Sequence, residues 1–111
     1  MADLGLLDKL RAIKQRFDEV ADLIIQPDIV TDQARYAKLN KEYSDLRDFV
    51  EIQKTYEGYI NAIAEADEII ADGSDAEMVE LAKIEKDEAL NAIPVLEEEI
   101  KMMLIPKDPE D

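Results

Sequence analysis

The sequence contains no cysteine and no histidine, and these two absences exclude much of enzyme chemistry. Without cysteine there is no disulfide framework, and nothing indicates an oxidising compartment. Without either residue the chain lacks the commonest general base, the thiolate nucleophile and the ligands of nearly all zinc sites. It also has no glycine-rich phosphate-binding loop. We therefore expect a protein that is not an enzyme and that holds no metal or cofactor.

Glycine and proline are scarce, with three and four among 111 residues, and a β-rich fold would need many more turns. Apolar residues make up 47% and charged residues 37% of the chain, a mixture typical of helical bundles and coiled coils. No apolar run approaches the roughly 20 residues that span a bilayer, and the N-terminus lacks the features of a signal peptide. These observations predict a cytoplasmic protein without a membrane interaction.

The net charge is −15 and is unevenly distributed. Residues 1–55 carry 11 acidic and 9 basic side chains, whereas residues 56–111 carry 17 acidic and 4 basic ones. The second half would be repelled by phosphate backbones, so any contact with nucleic acid falls to the first half. The alternative is that this asymmetry serves solubility alone. The candidate contact surface is a cluster of four basic residues: Lys9, Arg11, Lys14 and Arg16.

The first predicted helix covers residues 4–25, where apolar side chains recur at alternating spacings of four and three. This is a heptad pattern, so these side chains share one stripe. Pro27 ends the helix, because proline disfavours the helical conformation of the residue before it. The connection through Val30 is short, so the next helix is expected to return antiparallel. The seam residues are Leu6, Leu10, Ile13, Phe17, Val20 and Ile24.

The second predicted helix covers residues 31–72, contains no proline and would be about 60 Å long. Thr31 or Asp32 can cap its start. Its apolar stripe changes phase near Phe49, which indicates either a local change of coiling or the exchange of one helical partner for another. Gly58 either lowers the stability of the helix by about 1 kcal/mol relative to alanine or admits a close neighbour.

A sharp boundary separates the second helix from the third. Gly73 suits a left-handed cap after the second helix, and Ser74 and Glu77 fit a capping box that starts the third. The third helix covers residues 75–104, and Pro94 inside it predicts a kink one turn upstream or a split into two helices. Its seam comprises Met78, Leu81 and Ala82 early in the helix and Ala89, Ile93, Leu96, Ile100 and Met103 later.

Other polar and aromatic residues give weak signals. Tyr43 and Tyr56 lie in the apolar seam and are expected in the core, whereas Tyr36 and Tyr59 suit packing and base stacking about equally. The run of glutamates at residues 97–99 is expected to be a solvated face, because adjacent residues on a helix diverge by about 100° and cannot converge on one ion.

Together these patterns predict an all-α fold, an elongated antiparallel three-helix bundle or coiled coil with a long central helix at about residues 31–72. Residues 1–105 are expected to form one helical bundle domain, and residues 106–111 an extended linker toward a missing downstream domain. The oligomeric state stays open and includes a paired or domain-swapped dimer, because loss of neighbouring domains would expose apolar surface on the second helix.

Two stretches carry a resemblance to a known family. The chain ends in Leu104-Ile105-Pro106-Lys107-Asp108-Pro109-Glu110-Asp111, and its second helix starts with Arg35-Tyr36-Ala37-Lys38-Leu39-Asn40-Lys41-Glu42-Tyr43. A helix that ends in this Pro-Lys-Asp-Pro tail resembles the N-terminal domain of the bacterial peptide chain release factor 1 family, the class I factors that read UAA and UAG. The resemblance covers essentially the whole chain.

The resemblance implies a role in translation termination. Members of the family continue into domains that carry a codon-reading tripeptide and a Gly-Gly-Gln motif, and neither motif occurs here. The chain would then be a non-catalytic, ribosome-contacting module that reaches toward the base of the large-subunit stalk. The resemblance also implies docking of the methyltransferase that modifies the glutamine of the missing motif. The alternative is a generic coiled-coil adaptor or oligomerisation domain unrelated to translation.

Overall fold

The structure is a computed structural model that describes residues 4–106. It contains three long α-helices and one short one, and no β-strand occurs within these residues. The all-α class and the long central helix are therefore confirmed. Most of the predicted C-terminal linker, residues 107–111, lies outside the described residues. The helices are α1 (Leu4–Leu23), α2 (Pro27–Val30), α3 (Gln33–Asp72) and α4 (Ala76–Leu104).

The connection between α1 and α3 contains the one-turn helix α2, which the sequence pattern did not predict. Pro27 starts it, because the fixed φ of proline suits the first helical position, where no N–H is needed. The Thr31 backbone N–H donates to the Pro27 carbonyl oxygen at 3.1 Å and closes the turn. Ile29 is buried, so the turn also covers apolar surface. Asp32 then caps α3 by accepting the Arg35 backbone N–H at 3.2 Å.

The helix α3 ends as predicted. Gly73 has a φ of 65°, in the left-handed region that residues with a Cβ rarely adopt, and its N–H donates to the Ile69 carbonyl oxygen at 3.0 Å. By contrast, Gly58 lies inside α3, and a Cβ placed there would meet nothing within 4 Å. The expectation that Gly58 admits a close neighbour is therefore wrong.

The predicted capping box at the start of α4 is also wrong. Asp75 is the N-cap residue, and its carboxylate accepts the backbone N–H groups of Glu77 and Met78 at 3.0 and 3.3 Å. The Ser74 hydroxyl donates instead to the Asp72 carboxylate. Serine and aspartate are both good caps, so the residue that takes the role depends on where the backbone re-enters the helix.

The helix α4 continues through Pro94, so the predicted split does not occur. Proline removes the hydrogen bond to the Leu90 carbonyl. Pro94 and Leu90 are both exposed, so water can reach that carbonyl. Buried Ile93 and Ile100 hold the helix on either side of the proline.

The chain folds as two compact units that divide after Gln53. The N-terminal unit, residues 4–53, contains α1, α2 and the first part of α3. The C-terminal unit, in its described part residues 54–106, contains the rest of α3 and α4. The division lies four residues beyond Phe49, where the apolar stripe of α3 changes phase, and it agrees with an exchange of helical partners.

Each unit has its own buried apolar residues. In the C-terminal unit the early seam of α4 was predicted wrongly, because Met78 and Leu81 are 50% and 61% exposed and only Ala82 is buried. The buried residues of α4, which are Ala82, Ala89, Ile93 and Ile100, follow a heptad pattern, and Leu81 lies outside that pattern. The N-terminal unit buries Leu6, Leu7, Leu10, Val20, Ile29 and Val50, and the C-terminal unit buries Tyr56, Ala66, Ala82, Ala89, Ile93 and Ile100.

Candidate functional site

The four basic residues of the candidate contact surface all lie on α1, but the helix separates them into two pairs. Lys9 and Arg16 are seven residues apart and share one edge of the helix, whereas Arg11 and Lys14 share the other edge. The buried Leu10 side chain lies on the face between these edges. The structure therefore brings together two pairs of cations, and a flat ligand on one side of α1 would meet only one pair.

Lys14 is held by its own helix. Its Nζ donates to both carboxylate oxygens of Asp18, at 2.7 and 2.8 Å, one helical turn further on. Both side chains are substantially exposed. Such surface pairs contribute about 0.3–0.5 kcal/mol, so an incoming anion can displace the carboxylate at little expense. Lys14 therefore stays available as a cation.

Arg16 joins α1 to α3. Its Nε and Nη2 donate to the two carboxylate oxygens of Glu42 at 2.6 and 2.9 Å, and its Nη1 donates to Glu19 at 3.3 Å. The bidentate geometry is the one that a guanidinium forms best with a carboxylate. The hydrogen bond to Glu42, and then that to Glu19, raise the pKa of Arg16 above its ordinary value. The same bond holds the pKa of Glu42 below its ordinary value. Arg16 therefore positions the two helices of the N-terminal unit.

A further basic group lies beside this ion pair. A cavity of about 330 Å³ opens between α1 and α3, and Arg35 and Lys38 add two cations to its wall. Sequence reasoning missed it because Arg16 and Arg35 are distant in the chain. The spacing of three between Arg35 and Lys38 was the available signal, since it places both on one side of a helix. The cavity is lined by Arg16, Leu23, Arg35, Lys38, Leu39 and Glu42.

The tyrosines are used mainly for packing. Tyr56 is fully buried, and Tyr43 stacks on Phe17 with ring centroids 4.6 Å apart and planes inclined by 21°. The expectation that Tyr56 lies in the core is confirmed, whereas Tyr43 packs on Phe17 but stays half-buried. Tyr36 is 38% exposed and Tyr59 is half-buried.

In the C-terminal unit two polar contacts define how α3 and α4 pair. The Tyr56 hydroxyl donates to Glu97 Oε2 at 2.8 Å, and Lys86 Nζ donates to Asp67 Oδ1 at 2.5 Å. From the first contact to the second, the residue on α3 advances by eleven positions while its partner on α4 recedes by eleven. The two helices are therefore antiparallel.

Metal-binding clusters and membrane-spanning helices are both absent from residues 4–106. No group of three or more carboxylates in this part of the chain is placed to hold a metal ion. None of the helices described there combines the length and the apolar character needed to cross a membrane.

Comparison with known proteins gives a family match. The PCRF domain matches residues 13–111 of the chain. A protein named peptide chain release factor 1 from Flavobacterium johnsoniae is 60% identical over 106 residues, which are 96% of this chain and 30% of that protein. Its namesake from Bacteroides thetaiotaomicron is 46% identical over 112 residues, covering 100% of this chain and 30% of the relative.

A more distant relative has the same name and is matched over a similar share of its length. The peptide chain release factor 1 of Ligilactobacillus salivarius is 42% identical over 106 residues, 96% of this chain and 29% of that protein. The chain thus spans about 30% of the length of the curated relatives it matches. No solved structure matches it.

Proposed function

This chain belongs to the PCRF domain family, and we propose that it is the N-terminal domain of a factor that directs stop-codon-dependent release of the nascent peptide. The observation that carries this proposal is the match to proteins named peptide chain release factor 1 over nearly the whole chain, at up to 60% identity. The alternative, a generic coiled-coil adaptor, is not favoured, because it gives no reason for this similarity.

The domain itself is proposed to be non-catalytic. In support, the sequence contains no histidine, no cysteine and no Gly-Gly-Gln motif. Stop-codon reading and peptide release would depend on the remaining domains of the factor. The chain matches about 30% of each relative's length, and residues 106–111 are proposed to be an extended linker from the bundle domain, residues 1–105, to those domains.

The domain is proposed to contact the ribosome at the base of the large-subunit stalk, in the cytoplasm. The basic residues of α1 are the proposed contact surface, because residues 56–111 carry 17 acidic and only 4 basic side chains and would be repelled by RNA. Within this surface Arg11 and Lys14 share one edge of α1, and they are the pair to test because Arg16 also joins α1 to α3 through Glu42. The methyltransferase that modifies the factor and a dimer of the isolated chain are further proposed partners.

Charge reversal on one edge of α1 tests this proposal. In a full-length factor that carries this domain, R11E/K14E is expected to weaken association with ribosomes about tenfold, because two phosphate contacts become repulsive. Peptide release at saturating factor should stay unchanged, because the chemistry lies elsewhere. The matched control K41E/R47E makes the same change of charge on α3 and should bind normally. Equal binding by all three proteins would refute the contact surface, and loss of release at saturation would refute a non-catalytic role.

A further inference from the structure

The helix α4 presents an exposed apolar face in the C-terminal unit. Large apolar side chains on a helix surface normally face a core, yet four on α4 are more than half exposed. With a rotation of about 100° per residue about the helix axis, these four side chains point in directions that agree within about 60°. Their mean direction is about 140° from that of the buried residues of α4, which are Ala82, Ala89, Ile93 and Ile100. These four define the α4 exposed face: Leu81 (61% exposed), Ile84 (55%), Val95 (60%) and Met102 (70%).

Carboxylates surround this face. The same helical geometry places five glutamates within about 60° of its mean direction, whereas the three lysines of α4 lie about 120° or more away. Two of the glutamates pair with lysines, Glu80 with Lys83 and Glu98 with Lys101. Among the residues that the structure describes, Glu88 and Glu99 form no ion pair. The five glutamates are Glu77, Glu80, Glu88, Glu98 and Glu99.

The N-terminal end of the face carries a shallow, open depression. A depression of about 480 Å³ is lined by Ala76, Glu77, Glu80 and Leu81. An apolar floor between two carboxylates suits a lysine or arginine of a partner, whose aliphatic stem can lie on Leu81 while its charged head reaches the glutamates. The face therefore combines an apolar line about 31 Å long with anchors for positive charge.

We propose that the α4 exposed face binds a basic amphipathic helix of a protein partner. Such a helix places its apolar side chains along the line from Leu81 to Met102 and its lysines or arginines against the flanking glutamates. Nucleic acid does not fit, because its phosphates would meet these carboxylates. A second copy of the same face does not fit either, because the two rows of glutamates would repel each other. This surface lies on α4 in the C-terminal unit, whereas the basic residues to which ribosome contact is assigned belong to α1 in the N-terminal unit.

The test uses the 111-residue chain and a synthetic probe. The probe is a fluorescein-labelled 20-residue peptide of leucine and lysine, with leucines spaced for one helical face. A scrambled peptide of the same composition measures attraction by charge alone, and an RNA oligonucleotide of similar length tests nucleic acid. Fluorescence anisotropy at physiological salt is expected to show binding of the amphipathic peptide that is about tenfold tighter than that of the scrambled one. Any binding of the RNA through α1 should be unaltered by substitutions in the α4 exposed face.

Variants locate the binding on the helix. L81Q/V95Q removes two apolar side chains and is expected to weaken binding of the amphipathic peptide about fivefold or more. L90Q changes an exposed leucine on another side of α4 and should have little effect. E88Q/E99Q should weaken binding more at low salt than at high salt. Circular dichroism checks that each variant keeps its helix content.

Three results would overturn the assignment. Equal affinity for the amphipathic and scrambled peptides would mean that charge alone attracts the probe. Unchanged binding by a folded L81Q/V95Q would place the contact elsewhere. A dimer of the wild-type chain that L81Q/V95Q converts to a monomer, measured by analytical ultracentrifugation, would make a second copy the occupant.

Discussion

The hydroxyl group of Tyr56 on α3 donates a 2.8 Å hydrogen bond to Glu97 on α4, and the Tyr56 side chain is fully buried. The bond joins two helices of the C-terminal unit at a position where water has little access to the phenol. A hydrogen bond to an ionised partner contributes about 1.5–3 kcal/mol, more than a bond between neutral groups. It therefore fixes both the register and part of the stability of this pair of helices.

Removing this hydroxyl should destabilise the protein without disturbing its shape. Y56F is expected to lower the free energy of unfolding by about 1–2 kcal/mol, measured by urea denaturation. Y59F, a change of the same kind three residues away, should stay within about 0.5 kcal/mol of the wild type. In a double-mutant cycle with E97A, the coupling energy should exceed about 0.5 kcal/mol. Additive effects of the two substitutions would contradict the contact.

The ion pair between Arg16 and Glu42 predicts a pH dependence. Because Arg16 lowers the pKa of Glu42 in the folded chain, the native state binds fewer protons there than the unfolded state. The contribution of this ion pair to the free energy of unfolding is therefore present above the ordinary glutamate pKa of 4.5. It is lost as the pH falls through the lowered pKa of Glu42 in the folded chain. E42Q should be less stable than wild type at pH 7, and the difference should shrink on acidification. E51Q, which changes an exposed carboxylate on α3, is the control. A difference in the free energy of unfolding between wild type and E42Q that stays constant from pH 7 to pH 3 would contradict this prediction.

The start of α4 predicts opposite outcomes for two adjacent residues. Asp75 accepts two backbone N–H groups, so D75A should lower the free energy of unfolding by about 1 kcal/mol. Ser74 donates only to the Asp72 side chain, so S74A should change stability by less than about 0.5 kcal/mol. Thermal denaturation followed by circular dichroism measures both. A larger loss for S74A than for D75A would restore Ser74 as the cap.

Substituting alanine for the glycine inside α3 and for the glycine just after it should change the stability of the protein in opposite directions. G73A forces a residue with a Cβ into the left-handed region and should destabilise the protein by about 1–2 kcal/mol. G58A places a methyl group in open space inside a helix and should stabilise it by up to about 1 kcal/mol. Destabilisation by G58A in urea denaturation would indicate a neighbour at that position that the structure does not contain.

Local patterns predicted most of the fold. The heptad of α1 identified Leu10 and Val20 as buried, and the phase change near Phe49 anticipated the division of α3 between two units. These features depend on periodicity, which the sequence displays directly. The choice of Asp75 over Ser74 as the cap depends instead on backbone geometry after Gly73, which composition does not determine.

The candidate site was harder to predict, because it depends on contacts between distant residues. The pair of Arg16 and Glu42 joins positions 26 apart, so it becomes visible only when α1 and α3 are packed. The separation of Lys9 and Arg16 from Arg11 and Lys14 follows from helical geometry alone and was available from the sequence. The exposure of Leu81 could not be predicted from the sequence, because its spacing from Met78 also suits a buried seam.

The most direct test of the account is the association of this domain with the ribosome. Sedimentation of the 111-residue chain with large ribosomal subunits, complete or depleted of the proteins at the stalk base, compares the two states of the proposed binding site. We expect co-sedimentation with complete subunits and a marked loss with depleted ones, with R11E/K14E reducing the former. Equal binding to both kinds of subunit, or binding to neither, would contradict a ribosome-contacting module at the stalk base.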